Sequence, residues 1–166
     1  MQKKRAQMQL SFGMIFSIIL IIFFVAIAFY AIKVLLNTQN TMNISKFKSD
    51  LQNDVDKIWK SSKTSQEIQY LLPSKIKKVC FADFSNPATK NEKIYNESKR
   101  YFSPEKNLFV YPFSSYDESS KPLENIDLEK TTASENPLCF EVLNSKVKFI
   151  LEKNYNESLV TIKRTA

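Results

Sequence analysis

Leu10–Ile32, LSFGMIFSIILIIFFVAIAFYAI, is uncharged and apolar almost throughout. At ~1.5 Å of rise per residue these 23 residues form a helix of roughly 34 Å, enough to cross the ~30 Å hydrocarbon layer of a bilayer. Lys3, Lys4 and Arg5 precede the run, and Val34 to Leu36 prolong it. Basic residues beside a span resist translocation. The reading is therefore a cytoplasmic basic leader over 1–9 and a transmembrane helix over 10–36, with everything beyond facing outward.

After a polar joint at Asn37 to Asn43 the apolar residues fall into register. Ile44, Phe47, Leu51, Val55 and Ile58 recur every three or four positions, the spacing of one helix face, and place an amphipathic helix within 37–62. Lys46 with Asp50 and Asp56 with Lys60 are spaced to pair along its exposed side. Trp59, the single tryptophan, is expected to pack beside Ile58.

From Gln66 the period shortens to two, with Ile68, Tyr70 and Leu72 alternating with Glu67, Gln69 and Leu71 up to Pro73. Further β-favouring runs lie at Ile76 to Ala82, Leu108 to Tyr111, Leu138 to Leu143, Val147 to Leu151 and Leu159 to Ile162. The last two are separated by a short polar loop and read as a hairpin. The expectation is an α+β protein in which 63–166 is a β-rich extracytoplasmic domain built on one small antiparallel sheet. Asp83 to Lys106 and Ser114 to Asn136 lack such patterning, and Ser114 to Pro122 within the second is too polar to form core and is expected to be exposed loop.

Composition removes much chemistry. Histidine is absent and the one glycine is Gly13, inside the apolar run. Ser-His and Cys-His nucleophiles, His-containing metal sites and Gly-rich phosphate loops are thereby excluded. The formal net charge is +7, but four of the 24 basic residues and none of the 17 acidic ones lie at or before Leu36. The charges beyond are interspersed, which speaks for a solvated surface and against nucleic acid as a partner. Cys80 and Cys139 both fall in the outward part and are expected to pair, closing a loop worth ~4 kcal/mol in the chain-entropy model.

The N-terminus admits three fates. Cleavage after Ala26-Ile27-Ala28 would release a secreted chain beginning at Phe29. Retention would leave an uncleaved signal anchor. The third rests on Lys3-Lys4-Arg5-Ala6-Gln7-Met8-Gln9-Leu10, which resembles the class III leader of archaeal type IV pilin-like proteins: a short basic leader, a small residue, then Gln opening an apolar helix. The resemblance covers about the first 30 residues. It implies cleavage between Ala6 and Gln7, and a helix that first sits in the membrane and later enters the core of a filament. Ser11 stands where that family commonly carries the Glu associated with subunit registration.

Among other candidates, Gly13 and Ser17 have the small-xxx-small spacing that lets membrane helices approach closely. Asn43, Asn96 and Asn156 head Asn-x-Ser triplets and are candidate glycosylation acceptors in an outward-facing domain. Ser74-Lys75 is the one pair with precedent for hydrolysis at a membrane, though adjacency does not supply the burial that such a lysine needs. Asp50, Asp54 and Asp56 lack calcium-loop spacing. No enzymatic activity, metal or cofactor is expected. The sequence favours a single-pass membrane protein displaying a structural or adhesive domain and associating with itself or other surface proteins, or else an anchored module that binds a ligand or partner.

Overall fold

A computed structural model describes residues 12–113 and 122–165. The chain divides into two compact units, Met1–Gln39 and Asn40–Ala166. The fold is α+β, as expected, with a long apolar helix followed by small antiparallel sheets.

Helix α1 (Phe12–Trp59) runs unbroken, so the polar residues 37–43 are helical rather than a joint. Up to Leu36 its large side chains are exposed, among them Phe12 (85%) and Tyr30 (71%). This part is long and apolar enough to cross a membrane, the one such segment among the described residues. Two hydroxyls along the helix are satisfied locally: Ser17 Oγ donates to the Gly13 carbonyl at 2.8 Å and Thr38 Oγ1 to that of Val34 at 3.0 Å.

Within the second unit, α1 buries the five residues picked out by their spacing, Ile44, Phe47, Leu51, Val55 and Ile58, each at 2% exposure or less. Six strands follow where the sequence places them: β1 (Thr64–Leu71), β2 (Lys78–Phe81), β3 (Leu108–Tyr111), β4 (Leu138–Glu141), β5 (Lys146–Lys153) and β6 (Thr161–Lys163). They form two three-stranded sheets, ordered β1-β5-β6 and β3-β2-β4, instead of the one expected. The division falls between β4 and β5. There the Val142 N–H donates to the Lys77 carbonyl, while Leu143 and Lys146 exchange backbone hydrogen bonds around a tight turn. Asn144 and Ser145 in this turn both have positive φ, 50° and 61°, as a two-residue hairpin turn requires. The hairpin expected at the C-terminus is present, with β5 paired to β6.

The two sheets are buried differently. In β5, Val147, Phe149 and Leu151 point inward while Lys146 and Lys148 face solvent, the alternation of a sheet covered on one side. Sheet β3-β2-β4 is covered on both sides, which explains why its strands are nearly continuous apolar runs. Val79, Phe81, Leu108, Val110, Leu138 and Phe140 join the core around α1, whereas Cys80, Phe109 and Cys139 face a second cluster with Ile94, Tyr95 and Phe102. That cluster is supplied by α2 (Glu92–Tyr101), inside a stretch whose sequence shows no strand or helix patterning; a shorter helix, α3 (Leu128–Thr132), lies in the other such stretch.

Candidate functional site

The two cysteines occupy directly opposite positions on β2 and β4 and are bonded, with their Cα atoms 4.1 Å apart. The disulfide joins the central strand of its sheet to an edge strand across 59 residues of sequence. In the cluster it shares, Phe84, Phe102, Phe109 and Phe113 pack together at centroid separations of 5.5–6.4 Å, in stacked, tilted and edge-on pairs.

The other sequence candidates are dispersed. Ala6 and Gln7, with the leader around them, lie outside the described residues, as does most of the polar stretch beginning at Ser114. Gly13 and Ser17 sit one turn apart on the exposed apolar part of α1. Asn43 lies on α1 and Asn96 on α2, both within helical turns; Asn156 is in the loop between β5 and β6, and all three side chains are exposed. Ser74 and Lys75 are exposed in the turn after β1, so nothing there desolvates the lysine.

Of the three aspartates on α1, two hold the helix to its surroundings. Asp50 pairs with Lys46 at 2.6 Å, as the spacing predicts. Asp54 accepts a hydrogen bond from the Tyr70 hydroxyl at 2.6 Å. Asp56, expected to pair with Lys60, instead accepts from Gln52 Nε2 at 2.8 Å and from Asn125 Nδ2 at 2.9 Å. The longer-range partner wins because Asn125 is held in place by the backbone bond its carbonyl accepts from Val160. Among the described residues no three His, Cys, Asp or Glu side chains converge as a metal site would need.

Trp59 departs from its expected role. It remains 38% exposed and donates its indole N–H to the Ser158 carbonyl at 2.9 Å, tying the β5–β6 loop to the end of α1. Lys153 Nζ closes the same corner by donating to the carbonyls of Trp59 and Ser61.

Electrostatic perturbation tracks this structural bonding. Burial, then the hydrogen bond to Asp54 and the charge of that carboxylate, push the Tyr70 phenol well above its ordinary value. Glu135, gripped by Lys90 and Arg164 at 2.5 Å each, is held below the usual carboxylate range, chiefly by the Lys90 hydrogen bond. Neither group borders a second unpaired acid or base of the kind that a proton-transfer pair requires.

The surface concavities are open. One, of about 430 Å³, lies between the start of the buried stretch of α1 and the end of β1 and is lined by Asn43, Lys46, Phe47, Asp50 and residues 69–72. Sequence reasoning missed two features of this end of the domain, the exposed leucines Leu71 and Leu143 (68% and 70%). The alternation that sets Leu71 on the side of Glu67 and Gln69 is the signal for the first; Leu143 follows the continuous apolar run of β4, which carries none. No known protein family, curated protein or solved structure matches the chain.

Proposed function

We propose that this chain is a single-pass membrane protein with its N-terminus in the cytoplasm, displaying the disulfide-pinned α+β domain outside the cell as a structural or adhesive, pilin-like subunit. The observation that carries the reading is the change of character along α1. Its apolar side chains are exposed through Leu36, and from Ile44 onward one stripe of the same helix is buried in a domain core. Exposed apolar surface on this scale calls for lipid or for other helices as its surroundings. A bilayer supplies the first and a filament core the second. The leader ending at Ala6-Gln7 favours both in succession, and the Cys80–Cys139 bond suits an oxidising exterior.

Ser11, where pilin-like helices commonly carry Glu, favours a second reading: a permanently anchored module that presents its loops to a ligand or partner without polymerising. The intact mass and N-terminal residue of protein purified from native membranes separate the two. A chain beginning at Gln7 supports leader processing and filament assembly. Retention of residues 1–6 supports the permanent anchor. A start at Phe29 would overturn both by removing the span.

A further inference from the structure

We propose that the edge of the domain formed by Leu71, Lys75, Lys77, Leu143 and Lys146 docks onto an anionic lipid surface. The inference rests on the reading that the apolar part of α1 resides in a membrane. Three observations within the domain converge on it.

First, Leu71, Lys77, Leu143 and Lys146 share one edge, and Lys75 lies in the exposed turn that joins Leu71 to Lys77. Leu71 is the cross-strand partner of Lys146, Leu143 and Lys146 flank the tight turn, the Leu72 N–H donates to the Ser145 carbonyl, and the Val142 N–H donates to that of Lys77. Second, the edge combines exposed apolar tips with unneutralised cations. Leu71 and Leu143 are 68% and 70% exposed, and Lys75, Lys77 and Lys146 take part in no ion pair among the described residues. The nearby acids are occupied: Asp50 by Lys46, Glu67 by Lys148, and Glu141 by Lys78. Third, the concavity shared by Asn43, Lys46, Leu71 and Leu72 places this edge at the end of the domain where the chain enters it.

Apolar tips ringed by lysines suit the boundary between acyl chains and headgroups: leucines enter the apolar margin while ammonium groups meet lipid phosphates. Lysine is fitted to this role by its long stem, which reaches headgroups without burying its charge. Docking here would restrict the orientation of the displayed domain.

The test uses the full chain in phosphatidylcholine vesicles with brominated acyl chains, with and without phosphatidylglycerol. Trp59 is a built-in reference, because it adjoins Lys153, seven residues or ~23 Å along β5 from Lys146. In anionic vesicles Leu143→Trp is expected to add blue-shifted emission that bromine quenches, leaving the Trp59 signal unaffected. Combining it with K75Q, K77Q and K146Q should roughly halve that quenching. A Phe24→Trp chain reports the span separately. Quenching at position 24 without quenching at 143 overturns the docking edge and leaves the membrane reading standing. No quenching at 24 overturns the membrane reading and the docking with it. Equal quenching of Leu143→Trp with and without phosphatidylglycerol overturns the headgroup assignment. A blue shift that grows with protein density without bromine quenching assigns the edge to a second copy of the chain and overturns the proposal.

Discussion

The side-chain amide of Asn136 pairs with the backbone of Asp83 in both directions: Oδ1 accepts from the Asp83 N–H at 3.1 Å and Nδ2 donates to the Asp83 carbonyl at 2.7 Å. The amide thus acts as a short length of strand where the chain leaves β2. Nδ2 also approaches the carbonyls of Asn86 and Pro87 at 3.2 Å, and the Asn136 backbone exchanges hydrogen bonds with Thr89. One buried residue, 3% exposed, closes the 83–90 loop against the start of β4.

Asn136→Ala should therefore be among the most damaging single changes in the domain. It strands the buried Asp83 N–H and leaves the Asp83 carbonyl only the Tyr95 hydroxyl at 3.4 Å, each unsatisfied group costing ~1–3 kcal/mol. The expected loss is about 2–4 kcal/mol in denaturant unfolding of the full chain in detergent. Asn136→Asp is expected to fail as well, because a carboxylate cannot donate to the Asp83 carbonyl. A loss below about 1 kcal/mol for the alanine variant would show that the loop is held by other contacts.

Leu51→Ala tests the stripe that the sequence reveals most directly. Leu51 is fully buried at the middle of the five α1 residues in the core, and its truncation removes contacts that a well-packed interior does not replace. A destabilisation of about 2–5 kcal/mol is expected, against less than about 0.5 kcal/mol for Asn53→Ala on the exposed side of the same helix. Equal effects would refute the assignment of faces.

This stripe was legible because a helix face is a local pattern, repeated five times within fifteen residues. The strands were legible for the same reason, and Cys80 and Cys139 because two cysteines admit one pairing within a chain. What stayed hidden depends on distant partners. Sheet membership turns on where Val142 sends its N–H, a choice made by Lys77 far away in sequence. Helix α2 was missed because it contributes chiefly Ile94 and Tyr95 to the core, with Ser98 buried beside them, and its N-cap, Asn91, makes no side-chain capping bond. Asn136 carries no local signal at all, since its side-chain partners lie about fifty residues earlier.

Separating the cysteines is expected to loosen the domain without changing its topology. Cys80→Ser with Cys139→Ser restores the entropy of a loop of 59 residues, an effect of ~4 kcal/mol in the chain-entropy model, while β2 and β4 retain their backbone ladder. Denaturant midpoints of native, reduced and doubly substituted protein should fall together for the latter two, with circular dichroism at low denaturant unchanged. Two free thiols in natively purified protein would remove both the bond and its argument for an oxidising compartment.

Tyr70 and Asp54 supply a pH dependence whose sign is fixed by their geometry. The phenol is buried against Phe47 and Phe149, with ring centroids 5.3 and 5.6 Å away, and donates to a carboxylate that repels a phenolate. Folding therefore favours the protonated phenol and raises its pKa above the unfolded value of about 10. A group raised in this way contributes its full stabilisation below the unfolded pKa. That contribution is lost as pH rises beyond it, because only the unfolded chain can then release the proton. Tyr70→Phe keeps the ring contacts, abolishes this ionisation and leaves Asp54 without its donor. At pH 7 the variant should be less stable by about 1.5–3 kcal/mol, the value of a hydrogen bond to a charged acceptor. Between pH 9 and 11 the gap should narrow, since the native protein loses stability by a route closed to the variant. A gap constant across that range would show that Tyr70 ionises as readily in the folded domain as in the unfolded chain.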